Sequence, residues 1–512
     1  MKKILSKEEM RSAEKFTIED LHVSDDVLVE RAAYSAFLEI KKRFLSDSKG
    51  LIVSGPGNNG ADALALARIL LEFGYSVSVF FYGNNFSELN LIEKQRLKEI
   101  DKNKIGDLTF IDELSPAYED FYDFIVDGLY GIGLNRDLNP EVSDLINKIN
   151  SYKSFRIALD IPSGLNSDTG LCNTCFKADL TVTFGFIKKG LLLEKGPDYT
   201  GELVLCETGI FDKNTSDYSY RALESSDLYE MLPKRKAVSH KGTYGKTLII
   251  AGSEDIYGAC LLSSKACFYM GAGMVKVFTH KNNVDNLQRE IPEAMISSYD
   301  NDLNYSTLED KLVKDVDWAD TVMIGSGLGT GPVAVSVLET LVKKVSLDKK
   351  ILIFDADALN IFSENKELFY VLSERIKNSY VECVMTPHKR ELKGIIKMLG
   401  LDFMDSEEAV KKIFEISRIV VVNKDTKTSI YGEERFINLS GNDGLATAGS
   451  GDVLSGILAG LLFQIKDKYD FEEAVAAGVY LHGLLGDRVA ERKGRASLMA
   501  GDLILEIPQV IA

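Results

Sequence analysis

The sequence predicts an α/β protein of two domains, each a parallel sheet covered by helices. Three observations carry this. Residues 51–83 read strand, glycine turn, helix, strand, which is a βαβ unit and requires a parallel crossover. Residues 241–253 start a second strand followed by a glycine turn. Short apolar runs then recur in both halves with helical patterns between them, as buried parallel strands do. A length of 512 residues suits two to four domains at roughly 150 residues each.

In chain order, 51–53 is the first strand, Gly55 to Gly60 the turn, 61–73 a helix ended by Gly74, and 77–81 the next strand. Strands follow at 124–126, 156–159 and 180–184. Residues 211–239 are polar, with little apolar periodicity, and read as the region joining the domains. The second half places strands at 321–324, 351–354, 381–385 and 419–422.

Composition excludes several classes. Sixty Lys and Arg against 77 Asp and Glu give a net charge of −17, which argues against a dedicated nucleic-acid binder. The opening MKKILSKEEM has no secretory core, and no apolar run reaches the roughly 18 residues of a membrane span. A cytoplasmic protein is the simplest expectation. Six scattered cysteines make no disulfide framework, and Cys172 and Cys175 lack the further ligands of a zinc set, so this CxxC reads as incidental.

Chemistry gathers after the strands. Gly55-Pro-Gly-Asn-Asn-Gly-Ala-Asp62 joins a strand to a helix, where glycines admit an anion to backbone N–H groups. The alternative is a tight turn with Asp62 as helix cap or first-turn acid. The carbonyls of Asn58 and Asn59 suit a hard cation or a polar substrate edge. Asp127 and Asp160 each follow a buried strand; each is either a site group or a cap for what comes next. Three such positions point to a common pocket at one sheet edge.

The ordered segments GPGNNGADAL, VDGLYGIGL and LDIPSGLNSDTG, with the opening ILSKEEMRSAEKFTIEDLHVSDDVLVERAA, resemble the epimerase domain of the NAD(P)H-hydrate repair family over residues 1–212. The resemblance implies a Rossmann-like three-layer αβα fold that binds a hydrated nicotinamide nucleotide and potassium. It implies that Asn59, Asp127 and Ser163 hold the potassium. It implies substrate contacts from Asn58, Asn59, Gly60, Ala61, Asp62, Gly131, Ile132, Gly133, Leu134, Asn135, Arg136, Asp137 and Asp160. Asp160 is the expected proton-transfer residue. The family's usual GNNGGDGL reads GNNGADAL here, which sets methyl groups at Ala61 and Ala63.

In the second half, Ala448-Gly-Ser-Gly-Asp452 opens an apolar helix, so that a glycine turn could hold an anion while an Asp takes a proton from an alcohol. It is not a Walker A motif, which needs GK[ST]. It resembles the GxGD of the ribokinase superfamily. With HKGTYGKTLIIAGS, TVMIGSGLG, FDADALNIF and TPHKREL in order, it resembles the NAD(P)H-hydrate dehydratase domain over residues 230–512, leaving 213–229 as linker. The resemblance implies a ribokinase-like αβα domain that uses ADP (or ATP) and magnesium. Ala259, Gly327, His388 and Asp452 would contact the hydrate, with Asp452 as base. Lys424, Asp425, Thr426, Lys427, Thr428, Gly449 and Gly451 would contact the nucleotide. Asp355 and Asp357 would shape the loop beside it or help hold magnesium. Asp425 replaces the family's glycine, Ala448 a glycine and Ser450 a threonine.

The expected function is repair of hydrated NADH and NADPH. One half epimerises the R and S hydrates. The other dehydrates the S hydrate with ADP to NAD(P)H, AMP and phosphate. The alternative is a small-alcohol kinase fused to a non-catalytic nucleotide-sensing domain. Small-molecule substrates and a homo-oligomer such as a tetramer are the implied partners, with no nucleic acid and no membrane.

Overall fold

The computed structural model describes residues 1–512 except 116–117, 119–120, 135–136, 214–219, 301–303 and 512. The chain forms two compact bodies, one of residues 3–220 and one of residues 221–512 with Met1 and Lys2.

In the first body, β1 (Lys2–Leu5) leads to the helices Lys7–Lys15 and Asp25–Lys41. The sheet is built from β2 (Lys49–Ser54), β3 (Ser76–Phe81), β4 (Asp107–Ile111), β5 (Phe124–Gly128), β6 (Phe155–Leu159) and β7 (Leu180–Phe184). A short β8 (Ile187–Lys188) pairs with β1, and β9 (Glu202–Cys206) closes the sheet. The order β4-β3-β2-β5-β6-β7-β9 is parallel throughout. Strand alternation separates the two faces. Ile52, Val126, Ile157 and Leu159 pack with the helices Asp25–Lys41 and Asn58–Glu72. Leu51, Val53, Ile125 and Ala158 pack with Val142, Ile146 and Ile149 of the helix Pro140–Asn150. The result is helix, sheet, helix. Winding reverses between β2 and β5, and this switch point opens a crevice at the carboxyl edge.

The second body begins with β10 (Tyr220–Ala222) and the helix Ser225–Met231. The stretch 211–239, read from its polarity as the region joining the domains, therefore contains short regular elements. Arg221 pairs in parallel with Phe436, so a three-residue strand too short to show periodicity sits within that stretch; residues 214–219 of the expected linker lie outside the described residues. The main strands are β11 (Lys246–Ile250), β12 (Met274–His280), β13 (Met295–Tyr299), β14 (Thr321–Ile324), β15 (Ile351–Phe354), β16 (Glu382–Met385), β17 (Val420–Asn423), β18 (Ser429–Tyr431) and β19 (Arg435–Ile437). Their order is β13-β12-β11-β14-β15-β16-β17-β18-β19, parallel up to β17 and antiparallel after it. The switch point lies between β11 and β14. One continuous apolar core fills this body. Trp318, the sole tryptophan, ends the helix Tyr305–Trp318 beneath the Lys276 ammonium at 4.4 Å, which also pairs with Asp315 at 2.7 Å.

The helix after β2 runs Asn58–Glu72, three residues earlier than expected. Gly57 is its N-cap, so Asp62 lies inside the helix and does not cap it.

Candidate active sites at two sheet edges

A cavity of about 1020 Å³ opens at the carboxyl edge of the first sheet. That volume is at the upper end of the ~300–1,000 Å³ usual for small-molecule sites. Asn58, Asn59, Asp62, Gly131, Ile132, Gly133, Leu134, Asp137 and Asp160 line it. Asn135 and Arg136 lie outside the described residues. Gly60 and Ala61 do not line it. A Cβ on Gly60 would overlap the Gly55 carbonyl, and the methyls of Ala61 and Ala63 are buried in the core, Ala63 against Gly128. The methyls of Ala61 and Ala63 thus fill the helix–sheet interface and do not line the cavity. The helix start at Gly57 carries no side-chain cap, which suits it to an anion.

Asp127 is the penultimate residue of β5 and is buried. Its Oδ1 accepts from the Ser163 hydroxyl at 2.7 Å and the Leu129 N–H at 3.1 Å, and its Oδ2 from the Ser163 N–H at 2.8 Å. Burial lifts its pKa to about 6 against those hydrogen bonds. Asn59 is buried, and neither atom of its amide has a partner. An amide, a carboxylate and a hydroxyl are the hard oxygen donors an alkali cation takes, and a buried orphan amide is costly without a ligand. These residues fit potassium.

Asp160 follows β6 at φ +65, a conformation rare outside glycine. Its N–H is tied to the Val182 carbonyl at 2.8 Å. Its carboxylate pairs with Lys188, whose side chain is fully buried and also donates to Phe184 O at 2.7 Å and Thr183 Oγ1 at 3.1 Å. Gly131 separates Asp160 from Asn59: a Cβ there would sit 3.5 Å from Asp160 Oδ2 and 3.4 Å from Asn59 Cβ. Glu14 joins the cavity wall. Burial, then the charge of Asp160, lifts its pKa to about 7. Burial and the same charge push Asp62 well above the usual carboxylate range. Sequence reasoning missed Lys188 and Glu14. Lys188 sits beside Lys189 with nothing in the local pattern to mark it, and Glu14 lies on an amphipathic helix among other charges.

In the second body the expected residues follow six strands. Ala259 lies after β11 and Gly327 after β14. A Cβ on Gly327 (φ +61) would fall 3.0 Å from Ala259 Cβ, so the two are neighbours. The helix Ser450–Ile465 starts from Gly449 in the left-handed region (φ +87), without a side-chain cap, and holds Asp452 in its first turn. Burial, then the nearby charge of Asp355, raises Asp452 to about 6; Ser326 and Lys424 oppose the shift. Lys424 Nζ would lie 3.4 Å from a Cβ on Gly451. It is held there by Asp355 at 3.0 Å. Ser450 Oγ meets His482 Nε2 at 3.1 Å. Burial lowers that imidazole to about 4, so it is neutral near pH 7.

Asp355 accepts from Thr386 Oγ1 at 2.7 Å, from Lys424 and from Ser455. Both oxygens are engaged and one faces an ammonium, so magnesium does not fit on Asp355. Asp357 accepts from the Gly329 N–H at 2.8 Å and orders that turn. His388 caps the helix Lys389–Leu399: its Nδ1 accepts from Arg390 and Glu391 N–H groups, and its half-exposed ring leaves Nε2 3.3 Å from Glu391. It also bridges to Lys424 through the backbone. Asp425 pairs with Lys389 at 3.4 Å, so its charge is offset locally. Lys427 Nζ reaches Leu439 O at 3.4 Å, and the Thr428 carbonyl binds Asn438 N–H at 2.8 Å. Thr426 and Ala448 are exposed.

Residues 25–190 match the family model described as YjeF-related protein N-terminus, and residues 247–509 match that of NAD(P)H-hydrate dehydratase. The chain is 32% identical to the bifunctional NAD(P)H-hydrate repair enzyme Nnr of Coxiella burnetii, over 97% of this chain and 96% of that protein. It is 30% identical to the enzyme of the same name from Escherichia coli K12, over 98% and 93%. A ribokinase-like superfamily protein from Enterococcus faecalis aligns with a TM-score of 0.50 and 28% identity, over 58% of this chain and 98% of that one. Because the sequence similarity runs through both bodies and both sheet edges, this chain belongs to the family of bifunctional NAD(P)H-hydrate repair enzymes.

Proposed function

We propose that the chain repairs hydrated NADH and NADPH in two steps. Residues 1–212 epimerise the R and S hydrates, residues 213–229 link the halves, and residues 230–512 dehydrate the S hydrate with ADP to NAD(P)H, AMP and phosphate. The carrying observation is one chain that holds a carboxyl-lined cavity at one switch point and an Asp-headed, glycine-started helix beside a lysine at another.

In the first half, Asp160 moves a proton at the hydroxyl-bearing ring carbon, and Lys188 fixes its carboxylate. Asn58, Asp62, Gly131–Leu134, Asn135, Arg136 and Asp137 contact the substrate, with Gly60 and Ala61 contributing through the backbone. Asn59, Asp127 and Ser163 hold potassium, which when bound supplies a fixed positive charge beside an anionic substrate.

In the second half, a ring hydroxyl is a poor leaving group, and phosphorylation converts it into a good one. Asp452 takes the hydroxyl proton as the phosphoryl group arrives. The N–H groups at Gly449 to Gly451 and the Lys424 ammonium steady the phosphoryl charge. Ala259, Gly327 and His388 border the hydrate; Asp425, Thr426, Lys427 and Thr428 border the nucleotide. Magnesium enters with the nucleotide. Loss of phosphate from one ring carbon and of a proton from its neighbour restores the ring double bond. The protein works in the cytoplasm as a homo-oligomer.

The test is purified protein with hydrated NADH, ADP and magnesium, monitored by NADH absorbance. Recovery with release of inorganic phosphate is expected. No recovery, beside a control enzyme that does recover NADH, would overturn the proposal. A stable phosphoester in its place would favour a small-alcohol kinase.

A further inference from the structure

Part of the first body's cavity wall comes from neither the glycine turns nor the strand-end carboxylates. Met10 and Glu14, one turn apart on the helix Lys7–Lys15, line it with Val29 of the helix Asp25–Lys41, Phe184 at the end of β7, and Thr208 and Ile210 after β9. These elements are fastened to one another. Phe211 N–H donates to Thr17 Oγ1 at 2.8 Å, and that hydroxyl donates to the Ala13 carbonyl at 2.8 Å, which ties the segment after β9 to the first helix. Arg31 Nη1 donates to the Thr208 carbonyl at 3.3 Å, which ties the same segment to the second helix. A Cβ on Gly185 would sit 3.0 Å from Ile210 Cδ1 and 3.4 Å from Met10 Cε, so the end of β7 meets both.

Two polar groups in this wall are unspent. The Thr208 side chain is buried, and its hydroxyl has no hydrogen-bond partner. A buried hydroxyl without a partner is costly, and a ligand that brings an acceptor removes the cost. Among the described residues the Glu14 carboxyl has no hydrogen-bond or ion-pair partner either. Arg11 and Asp25 also line the cavity, but both are exposed. Glu14 and Thr208 therefore stand as a carboxyl acceptor and a hydroxyl donor among Met10, Val29, Phe184 and Ile210. An uncharged ring with one polar substituent fits that surface; a second anion does not. The wall adjoins Asp160, whose Oδ1 accepts from the Phe184 N–H at 3.4 Å.

We infer that this wall is the subsite for the carboxamide-bearing side of the hydrated nicotinamide ring, with Thr208 Oγ1 donating to the amide carbonyl and Glu14 accepting from the amide N–H. The inference rests on the proposed epimerase substrate and adds the groups that recognise its ring. Water adds to the ring double bond beside the nitrogen, so the hydroxyl-bearing carbon and the carboxamide-bearing carbon lie opposite each other in the six-membered ring. The nucleotide's phosphates take the uncapped helix start at Gly57. With the hydroxyl-bearing carbon at Asp160, the opposite carbon is left to the wall of Met10 and Phe184. A carboxamide offers both a donor and an acceptor, which Glu14 and Thr208 match; a ring carboxylate would set a second negative charge against Glu14.

The test follows interconversion of the R and S hydrates by liquid chromatography, with full-length protein and no ADP. Two substrates are compared: hydrated NADH, and the hydrate of reduced 3-acetylpyridine adenine dinucleotide, in which a methyl group replaces the amide NH2. The wild type should show a KM about tenfold lower for the amide, the worth of one such hydrogen bond. That comparison needs no variant to fold. Glu14→Leu should bring the two KM values together. Thr208→Val should raise both about tenfold, since both substrates carry the carbonyl. It should not lower Tm, because the hydroxyl it removes has no partner within the protein, and Thr208→Ser should restore both KM values. A wild type that turns over both hydrates with equal KM, or a folded Glu14→Leu that keeps the amide preference, would overturn the subsite and leave the epimerase reading standing. Unchanged KM values in Thr208→Val, or a lowered Tm, would remove Thr208 from it. A wild type that interconverts neither hydrate overturns the epimerase reading and the subsite with it.

Discussion

Asp452 shows how placement sets the behaviour of a single residue. Burial and the charge of Asp355 lift it to about 6, close enough to neutrality to release and accept a proton in turn. Its basic form fills as pH rises, so the dehydration rate is expected to climb through about pH 6 and level off above it, as a pH–rate profile at saturating ADP would show. Asp452→Asn should cost ~10²–10⁴-fold in turnover with unchanged circular dichroism, the usual worth of a general base. Near-normal turnover in that variant would remove Asp452 from the base role. Lys188 has a structural consequence as well. Its removal in Lys188→Met leaves Asp160 without its cation, a change worth ~3–5 kcal/mol for buried pairs and measurable by urea unfolding. Asp127, Asp160 and Asp452 were legible in the sequence because each stands at a strand end or a glycine-rich helix start. Lys188 was not. Neither of two adjacent lysines looks buried until β8 turns Lys188 inward and leaves Lys189 half-exposed.

At the scale of elements, two helix starts define the two sites. The helix Asn58–Glu72 began earlier than its apolar periodicity suggested, because Asn58 and Asn59 read as turn residues while their backbone is already helical. The methyls of Ala61 and Ala63 belong to the buried side of that helix, which only the three-dimensional register reveals. Gly60 is the demanding position. Gly60→Ala pushes a Cβ into the Gly55 carbonyl and the Asn90 amide, and is expected to lower stability by at least the ~1–3 kcal/mol of ordinary overpacking, with loss of epimerisation. Differential scanning calorimetry and a chiral assay of the hydrate would measure both. The helix Ser450–Ile465 is braced by His482, held near 4 by burial. An unfolded histidine gains its proton near 6.5 and this one does not, so its contribution is fully present above pH 6.5 and is lost as pH falls from 6.5 to about 4. The loss is on the order of 3 kcal/mol. Asp127 and Asp452 act with the opposite sign, since raised carboxyl pKa values favour the folded state as pH drops. Comparing unfolding of wild type and His482→Asn at pH 7.5 and 4.5 isolates the imidazole: the variant should lose less stability on acidification.

The whole molecule divides the work between two bodies, and a racemic substrate can tell them apart. With an equal mixture of R and S hydrates, the wild type should convert everything faster than spontaneous epimerisation allows. Asp160→Asn should stall at half conversion, while Asp452→Asn should give no NADH at all. Complete rapid conversion by Asp160→Asn would remove that residue from proton transfer. Both sheets were readable as sheets, and their parallel order followed from the connections as far as β17; the antiparallel β18 and β19 beyond it were not foreseen, being three residues each. Nor was the strand β10, because three residues carry no period and its pairing partner lies more than 200 positions away. The lone indole of Trp318, pressed under Lys276, has an optical consequence. Its emission reports on residues 221–512 alone. An unfolding step that shows in far-ultraviolet dichroism but is silent in tryptophan fluorescence therefore belongs to residues 3–220, so a full-length sample carries its own label for which half has melted.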